Sequence, residues 1–271
     1  MTPLLTSETF ALLQEARRTA PASLQCSLDL QRTSTRVDVF VDHWTSAGSA
    51  FPYPDRCKEH TIYHWSDQGF QPVSRYGISL VKLVPTSWGP PTFEIDGVKM
   101  LPSARISPYE DARRKVALIE PRGKVVLDCC AGLGYFAACC IEGRAARVMS
   151  FEKNADVLWL REMNPWSPPP APSLVLTHGD VYEAVTRVPS LSVDAVLHDP
   201  PRFALAGELY SQAFYNQLAR VTKQRGSLFH YTGSPNKVAR GRELAGEVLK
   251  RLRIAGFTAE KVGDGVFGVK S

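Results

Sequence analysis

The 271-residue chain has no apolar run approaching the roughly 20 residues that a membrane-spanning helix needs. Its opening stretch, MTPLLTSETFALLQEARRTA, has neither a basic lead into an apolar core nor a clear cleavage site. We therefore expect a cytoplasmic protein. The same stretch predicts a short amphipathic helix with Phe10, Leu12, Leu13 and Ala16 on one face.

Metal-type cysteine spacing is also missing. The six cysteines form two adjacent pairs, Cys129-Cys130 and Cys139-Cys140, plus the single residues Cys26 and Cys57. Neither pair has the CxxC spacing of a zinc site, and adjacent cysteines in a strand or helix point apart. We predict free, mostly buried thiols and no metal. The net charge of +5 is compatible with a nucleic acid partner but does not require one.

Helical signals are absent between Ser23 and Leu101, where short alternating segments predict strands. We predict an N-terminal helix and a small antiparallel β module over residues 1–101, with a partial barrel as one arrangement. The segments are SLDL, TRVDVFV, TIYHW, GFQPV, SLVKLV and TFEIDGVKM. The aromatic residues of the module either form a stacking platform for bases or fill a small core: Trp44, Tyr63, Trp65, Phe70, Trp88 and Phe93.

Residues 102–271 alternate between strand and helix patterns, which predicts an α/β fold with a mainly parallel sheet and helices on both faces. Ser107 and Pro108 are typical of a helix start in SPYEDARRKVALIE. The predicted strands are KVVLDCC, RVMSFEK, LVLTHGD, VDAVLHD and GSLFHYTG, with one or two more in the tail. The predicted helices between them are GYFAACCIEG, ADVLWLREM, VYEAVTRV, GELYSQAFYNQLARVT and RGRELAGEVLKRLRIAG.

The first of these strands ends at Asp128 and runs into the glycine turn Gly132-Leu133-Gly134. With Ala137 at the third glycine position, the turn alone would also fit a dinucleotide fingerprint. An acid beside it instead favours a ligand with an ammonium group and no phosphate. Glu152, after the second strand, can accept from ribose hydroxyls, and Asp180, after the third, from the amino group of adenine.

The fourth strand ends in HDPPRF. Its prolines fix the backbone and remove two donors, so Asp199 and the nearby carbonyls are rigid acceptors at the edge where open parallel sheets bind ligands. His198, and His230 and Tyr231 of the fifth strand, either line the acceptor site or pack against helices. Arg202 either pairs with Glu208 or binds an acidic acceptor.

In this order, the glycine turn, the two acids and HDPPR resemble the class I S-adenosylmethionine-dependent methyltransferases from about Tyr109 to Ser271. The resemblance implies a Rossmann-like, seven-stranded sheet with a reversed last strand and S-adenosyl-L-methionine as cofactor. Tyr109 and Lys115 precede the first strand, where this class often closes over the methionine end. The expected cofactor-binding residues are Asp128, Ala131, Gly132, Gly134, Glu152, Lys153, Asp180 and Asp199. The expected catalytic residues are Asp199, His198, Tyr231 and His230.

GLGYFA, NPWS, HDPPRFALAGELYSQAFY and LFHYTG together resemble a group of archaeal-type methyltransferases, often labelled spermine-synthase-like, whose substrate is undefined. Enzymes that methylate amines often carry an aromatic residue where this chain has Arg202. RNA pyrimidine C5-methyltransferases share DPPR but need a nucleophilic cysteine, and no cysteine follows Cys140. Nitrogen or oxygen methylation is therefore expected.

The acceptor is either RNA (tRNA or rRNA) or a small molecule or peptide. One alternative function is aminopropyl transfer from decarboxylated S-adenosylmethionine, which favours several acids in the acceptor crevice. Another is a non-catalytic cofactor-binding or RNA-binding subunit. Two basic clusters are either solvated helix faces or RNA contacts. One contains Arg113, Arg114 and Lys115, and the other contains Arg240, Arg242, Lys250, Arg251 and Arg253.

Overall fold

The computed structural model describes residues 2–19, 21–203, 205–233 and 244–271. The chain divides into two compact units. The first comprises Met1–Glu110 and Trp159–Ser167, and the second comprises Asp111–Leu158 and Pro168–Ser271. The predicted basic residues Arg240 and Arg242, and the predicted start of the last helix, lie outside the described residues.

The first unit contains short strands that pair antiparallel in three sheets, of order β1-β6-β7, β2-β3-β4-β5 and β11-β10-β9-β8. The predicted antiparallel module is therefore confirmed, as separate small sheets rather than as a partial barrel. Its elements are β1 (Leu4–Leu5), α1 (Ser7–Thr19), β2 (Ser23–Cys26), β3 (Thr35–Val39), β4 (His43–Ser46), β5 (Ser49–Pro52), β6 (Tyr63–Ser66), β7 (Gly69–Pro72), β8 (Ser74–Tyr76), β9 (Leu80–Val84), β10 (Thr92–Ile95) and β11 (Val98–Lys99).

One predicted strand of this unit, SLDL, is wrong. Its side chains bind the backbone of the following turn instead. The Ser27 hydroxyl accepts from the Gln31 amide at 2.7 Å, and the Asp29 carboxylate accepts from the Thr33 amide at 2.9 Å. Such local side-chain bonds compete with strand pairing.

The aromatic residues of the first unit mainly fill its core. Trp44 is fully buried in a cluster with Leu13, Val37 and Tyr63, and Trp65 packs against that cluster. The helix α1 contributes Leu13 and Ala16 to the buried side, whereas Leu12, expected on the same face, is 49% exposed. The alternative of a broad stacking platform is therefore not supported for most of these rings.

The second unit alternates helices and strands, as the sequence predicted. The helix α2 begins at Pro108, and the Ser107 hydroxyl accepts from the Tyr109 amide at 3.3 Å. The helices are α2 (Pro108–Ala117), whose first residues belong to the first unit, α3 (Tyr135–Glu142), α4 (Ala155–Met163), whose last residues belong to the first unit, α5 (Val181–Ala184), α6 (Gln212–Val221) and α7 (Leu244–Ile254). The strands are β12 (Val125–Asp128), β13 (Arg147–Glu152), β14 (Leu174–His178), β15 (Val193–His198), β16 (Thr222–Tyr231), β17 (Phe257–Val262) and β18 (Gly265–Lys270).

The seven strands of this unit form one sheet of order β14-β13-β12-β15-β16-β18-β17. The pairs from β14 to β16 are parallel, and β18 runs antiparallel to both of its neighbours. The predicted seven-stranded sheet with a reversed last strand is confirmed. Because the first five of these strands are parallel, their carboxyl ends meet at one edge.

The long helix predicted from GELYSQAFYNQLARVT is two elements. Residues Gly207–Tyr210 form a 3₁₀ turn, and α6 begins only after Ser211. The Ser211 hydroxyl accepts from the Phe214 amide at 3.1 Å, which is the bond of a helix N-cap. The capping serine therefore ends one turn and starts the next helix.

All six cysteines are free thiols, as predicted. Burial raises the pKa of both Cys26 and Cys57 to about 11. Among the described residues, no helix combines the length and the apolar character required to cross a bilayer.

Leu252 and Ile254 offer a matched test of the core of the second unit. Both lie on α7, but Leu252 is fully buried in the main cluster and Ile254 is 64% exposed. Leu252→Ala should lower the free energy of unfolding by about 2–5 kcal/mol, because a cavity replaces buried methyl groups. Ile254→Ala should change it by less than about 0.5 kcal/mol. Urea unfolding followed by circular dichroism measures both, and equal effects would contradict the packing described.

Candidate active site

The glycine turn connects β12 to α3 in a conformation that requires glycine. Gly132 has a φ of 50° and Gly134 a φ of 84°, and Gly134 is the N-cap of α3. Both values lie in the left-handed region, where a side chain is costly. The Ala131 amide donates to the Phe151 carbonyl at 2.8 Å, and this bond holds the turn against β13.

Glu152 lies directly against this turn. Its Oε2 atom accepts from the Gly132 amide at 2.9 Å, and its Oε1 atom accepts from the Asn154 amide at 2.9 Å. The structure therefore brings together the glycine turn and the acid that the sequence predicted as a pair, although they are 20 residues apart.

Two more acids occupy strand ends at the same edge of the sheet. Asp128 is buried, and its Oδ2 atom accepts from the Ser150 hydroxyl at 2.6 Å. Asp180 caps α5 by accepting from the Tyr182 amide at 2.8 Å, and its other oxygen lies 2.7 Å from the Lys153 ammonium. Lys153 itself is largely exposed, so this ion pair is at the surface.

The Asp-Pro-Pro segment is tied to the following 3₁₀ turn. The Tyr210 hydroxyl donates to the Pro201 carbonyl at 2.9 Å, and the His198 Nε2 atom lies 3.0 Å from the Leu209 carbonyl. A carbonyl beside the prolines thus has a side-chain partner rather than a helical one. The side chain of Asp199 stays 21% exposed at this rim.

Arg202 and Phe203 follow the prolines and are both exposed. Among the described residues no ion pair joins Arg202 to Glu208, so that expectation is not supported. Phe203 is 52% exposed, and its ring contacts Tyr210 edge-on at 5.4 Å between centroids. An aromatic surface is therefore present one position later than in the common amine-methylating pattern.

Lys115 is a cation buried beside Asp199. It is 3% exposed, and its Nζ atom lies 2.7 Å from Asp111 Oδ2 and 3.6 Å from Asp199 Oδ2. The same atom lies 3.6 Å from the centroid of the Tyr231 ring. This arrangement corrects one alternative, because Lys115 is buried beside Asp199 and is not part of a solvated basic face. The expectation that it lies at the methionine end stays a prediction.

Burial sets the protonation of this group. It raises the pKa of Asp199, the Lys115 ammonium lowers that pKa, and the net direction is upward. Burial likewise raises the pKa of Asp111 above its usual range, against the effect of Lys115. Burial also raises the pKa of Tyr231 to about 12, so its phenol stays protonated at neutral pH.

The structure separates the two residues that end β16. Tyr231 is partly exposed beside Lys115, whereas His230 is fully buried. The His230 Nδ1 atom lies 2.8 Å from the Tyr231 carbonyl, and its Nε2 atom lies 3.0 Å from the Tyr215 hydroxyl. The expectation that His230 faces the crevice is therefore corrected: strand side chains alternate, and this one points into the helix layer.

His198 is fully buried as well, and its ring lies 4.4 Å from that of His230 between centroids. Burial lowers the pKa of His198 to about 4 and that of His230 well below its usual value. Two neutral imidazoles in contact thus form part of the core. Neither ring reaches the surface at which Asp199 is exposed.

Comparisons with known proteins agree with this geometry. Residues 168–263 match a family model described as S-adenosyl-L-methionine-dependent methyltransferase. The chain is also 38% identical over 256 residues to the "Uncharacterized protein MJ1233" of Methanocaldococcus jannaschii, covering 90% of this chain and 87% of the relative. The chain belongs to the S-adenosyl-L-methionine-dependent methyltransferase family.

Solved structures of low sequence identity share the fold. One is a spermidine synthase in complex with the transition-state analogue AdoDATO, with a TM-score of 0.59, 15% identity and coverage of 73% of each chain. Another is MnmC2 from Aquifex aeolicus, with a TM-score of 0.51, 18% identity and coverage of 69% of this chain and 70% of that chain.

The cofactor of this methyltransferase family is S-adenosyl-L-methionine, and the donor set fits it. The ammonium group, the ribose hydroxyls and the adenine amino group of the cofactor are all hydrogen-bond donors. The strand ends offer carboxylate acceptors at Asp128, Glu152 and Asp180, beside a glycine turn that lets a ligand approach the backbone. The individual roles of these residues stay predictions.

Asp111 is a neighbour of Lys115 that the sequence motifs did not identify. As an acid in the first turn of α2, it also interacts favourably with the helix dipole. A signal was available, since Asp111 and Lys115 are spaced i, i+4, the orientation that places an acid and a base on one face. The spacing predicts the ion pair, but not its burial.

The buried histidine pair predicts a pH dependence of stability. Because the folded pKa values are depressed, the unfolded chain binds protons first. The contribution of the two neutral histidines to the free energy of unfolding is therefore fully present above about pH 6.5, and it should be lost as the pH drops toward 4. His198→Gln should reduce the slope between about pH 6.5 and 5 relative to the wild-type chain in urea unfolding series. An unchanged slope would show that the pKa of His198 in the folded protein is not lower than in the unfolded chain.

Proposed function

We propose that this chain transfers the methyl group of S-adenosyl-L-methionine to a nitrogen atom of an RNA nucleotide. The observation that carries the proposal is Asp199, a partly exposed carboxylate held at the sheet edge by a Pro-Pro segment and a buried lysine. Bound S-adenosyl-L-methionine supplies an electrophilic methyl group on a sulfonium sulfur.

Asp199 would act on the acceptor by accepting a hydrogen bond from its N–H group. This bond orients the nitrogen lone pair, and such positioning accounts for much of the barrier reduction in a direct transfer. Because burial raises the pKa of Asp199, the carboxylate is also a better proton acceptor than an exposed aspartate. The acceptor proton would pass to Asp199 and then to solvent at its exposed side.

The state of the Cys130 thiol bears on whether this chain could methylate C5 of a pyrimidine. It follows β12 and lies close enough to Asp199 for electrostatic interaction, so the three-dimensional site does contain a thiol. Burial raises the pKa of Cys130 well above its usual value, and the nearby acids raise it further. A thiol without thiolate character is a poor nucleophile, which favours nitrogen over pyrimidine C5 as the acceptor atom.

A groove in the first unit supports RNA as the acceptor class. It has a volume of about 630 Å³ and is lined by Arg56, Lys58 and Lys82 together with Tyr53 and Phe70, among other residues. Within the described chain, the three basic side chains form no ion pair with an acid. One acid, Asp55, also lines the groove, so basic residues outnumber acids there by three to one. Basic groups beside aromatic rings are typical of surfaces that bind single-stranded nucleic acid. Phe203, in the second unit, adds an exposed ring for a planar acceptor.

Aminopropyl transfer is the second candidate function. The observation that favours it is that Asp111 and Asp199 both lie beside Lys115, which places more than one acid at the rim. A polyamine acceptor would need such acids. Lys115, however, already neutralises one of the two charges, which makes the rim less suited to a polycation than a rim of acids alone.

Asp199→Asn tests the catalytic part of the proposal. The proposal places Asp199 at the acceptor, although the resemblance also listed it among the cofactor-binding residues. On the proposal, the variant should bind S-adenosyl-L-methionine with nearly unchanged affinity in calorimetry, because the predicted cofactor contacts at Asp128 and Glu152 are intact. Transfer of labelled methyl groups into RNA from cells lacking the protein should fall by about 10²-fold or more. The control is Glu208→Gln, which removes an exposed charge in the next turn and should retain transfer.

Three outcomes would count against this proposal. Unchanged transfer by Asp199→Asn would make the Asp-Pro-Pro segment only a turn. Label that ribonuclease does not release would exclude RNA as the acceptor. Transfer from decarboxylated S-adenosylmethionine, with no binding of the intact cofactor, would establish the second candidate function.

The groove is tested separately by charge reversal. Arg56→Glu with Lys58→Glu should weaken RNA binding by roughly tenfold at low salt and reduce the salt dependence of the affinity, because fewer counterions are released. The control is Lys99→Glu, an exposed lysine of β11 that does not line the groove. Filter binding at several salt concentrations measures both. Equal losses in the two proteins would show a general charge effect and overturn the assignment of the groove.

A further inference from the structure

We infer that Lys115 is a positioning residue that holds the carboxylate of Asp199 ionised and oriented at the acceptor rim. The inference rests on the proposed function, in which Asp199 receives the acceptor. It does not follow from the cofactor-binding pattern, because Lys115 lies on α2, before the glycine turn and all four acidic strand ends.

The contacts of Lys115 are directional. Its ammonium is 2.7 Å from Asp111 Oδ2, a full ion pair, and 3.6 Å from Asp199 Oδ2, a longer contact. The ring of Tyr231 lies against a third side of the ammonium, with 3.6 Å between Nζ and the ring centroid. Asp111 and the ring therefore fix the position of the ammonium. The longer contact orients Asp199 while leaving its carboxylate able to accept a further hydrogen bond.

The helix explains how a lysine reaches this position. Asp111 and Lys115 are four residues apart on α2, so they lie on one face. Arg113 and Arg114, between them in sequence, are exposed. The stretch that looks like a single basic cluster therefore separates into two surface arginines and one buried lysine.

The charges around Asp199 show why the cation matters. Two acids in addition to Asp199 contribute to the field, Asp111 and Asp264, and both raise the pKa of the Asp199 carboxyl. The neighbouring Tyr210 and Tyr231 have pKa values raised by burial and are neutral phenols. Cys130 is a neutral thiol for the same reason.

Lys115 is thus the cation that opposes burial and two like charges at Asp199. Burial opposes the charge on Lys115 itself, but the carboxylates of Asp199 and Asp111 outweigh this effect and raise the pKa of the ammonium. Without Lys115, several carboxylates would share a poorly hydrated site, and at least one would be protonated near neutral pH. A protonated Asp199 could not accept a proton from the acceptor.

The experiment measures the ionisation of Asp199 directly. The full-length protein is labelled with ¹³C at the aspartate carboxyl carbons and titrated by NMR, and Asp199→Asn identifies the resonance. In Lys115→Met the midpoint of Asp199 should rise by at least about one pH unit, a tenfold change in ionisation at a given pH. Lys115→Arg should restore the wild-type midpoint in large part, since the charge is retained.

Asp111→Asn gives the opposite sign, because removing that like charge should lower the midpoint of Asp199. Partial unfolding would also lower it, since the folded pKa of Asp199 lies above that of a free aspartate. Circular dichroism therefore checks that Asp111→Asn is folded, whereas a rise in Lys115→Met cannot come from unfolding. If Lys115→Met does not fold, the Asp111→Asn and Lys115→Arg titrations still decide. A midpoint of Asp199 that is unchanged in Lys115→Met, or unchanged in Asp111→Asn, would overturn the inference.

The pH dependence of methyl transfer tests the inference independently. The pH profile of kcat for methyl transfer should shift to higher pH in Lys115→Met, with cofactor affinity unchanged in calorimetry. A faster enzyme would instead show that Lys115 blocks the acceptor position, which would also overturn the inference. If the wild-type protein transfers no methyl group, the proposed function fails, whereas the NMR titration still tests the coupling of Lys115 to Asp199.

Discussion

Parallel pairing of five adjacent strands is the constraint on which the second unit depends. Because β14, β13, β12, β15 and β16 run in the same direction, the residues that follow them meet at one edge of the sheet. In-register pairing sets Asp128 opposite Ser150 and Glu152 opposite His178. Acids far apart in the chain are thereby collected at one place, and the edge becomes a row of acceptors.

This edge is divided chemically into two parts. On one side, Asp128, Glu152 and Asp180 accept from neutral hydroxyls, amides or an exposed lysine, which suits a ligand rich in donors. On the other side, Asp199 shares a buried cation with Asp111. In the first part, the carboxylates accept hydrogen bonds from neighbouring donors. In the second part, the charged neighbours of Asp199 decide whether its carboxyl group is ionised. Under the proposed function, the first part would bind the cofactor and the second would act on the acceptor.

The sequence predicted most of the elements and much of the site. Alternating strand and helix patterns predicted the elements of the second unit, because a buried sheet needs apolar strands and a helix start such as Ser107-Pro108 carries a local signal. Strand ends could also be predicted, which placed Glu152 at the same edge of the sheet as the glycine turn. The hydrogen bond between the Gly132 amide and Glu152 was not predicted. Errors arose where side chains bind the local backbone, as Ser27 and Asp29 do in a predicted strand, and as Ser211 does within a predicted helix.

The sequence by itself determined the sheet, the glycine turn and the order of the acids, since these depend on local pattern and on chain direction. Only the tertiary structure decided which polar side chains are buried. In the sequence, Lys115 is the last of three consecutive basic residues, and His230 is next to Tyr231 in a predicted strand. Neither pattern indicates burial. Burial depends on what the rest of the chain places around a side chain. Asp199 and Tyr231, which lie far along the chain from Lys115, therefore make that lysine part of the site, and Tyr215 makes His230 part of the core.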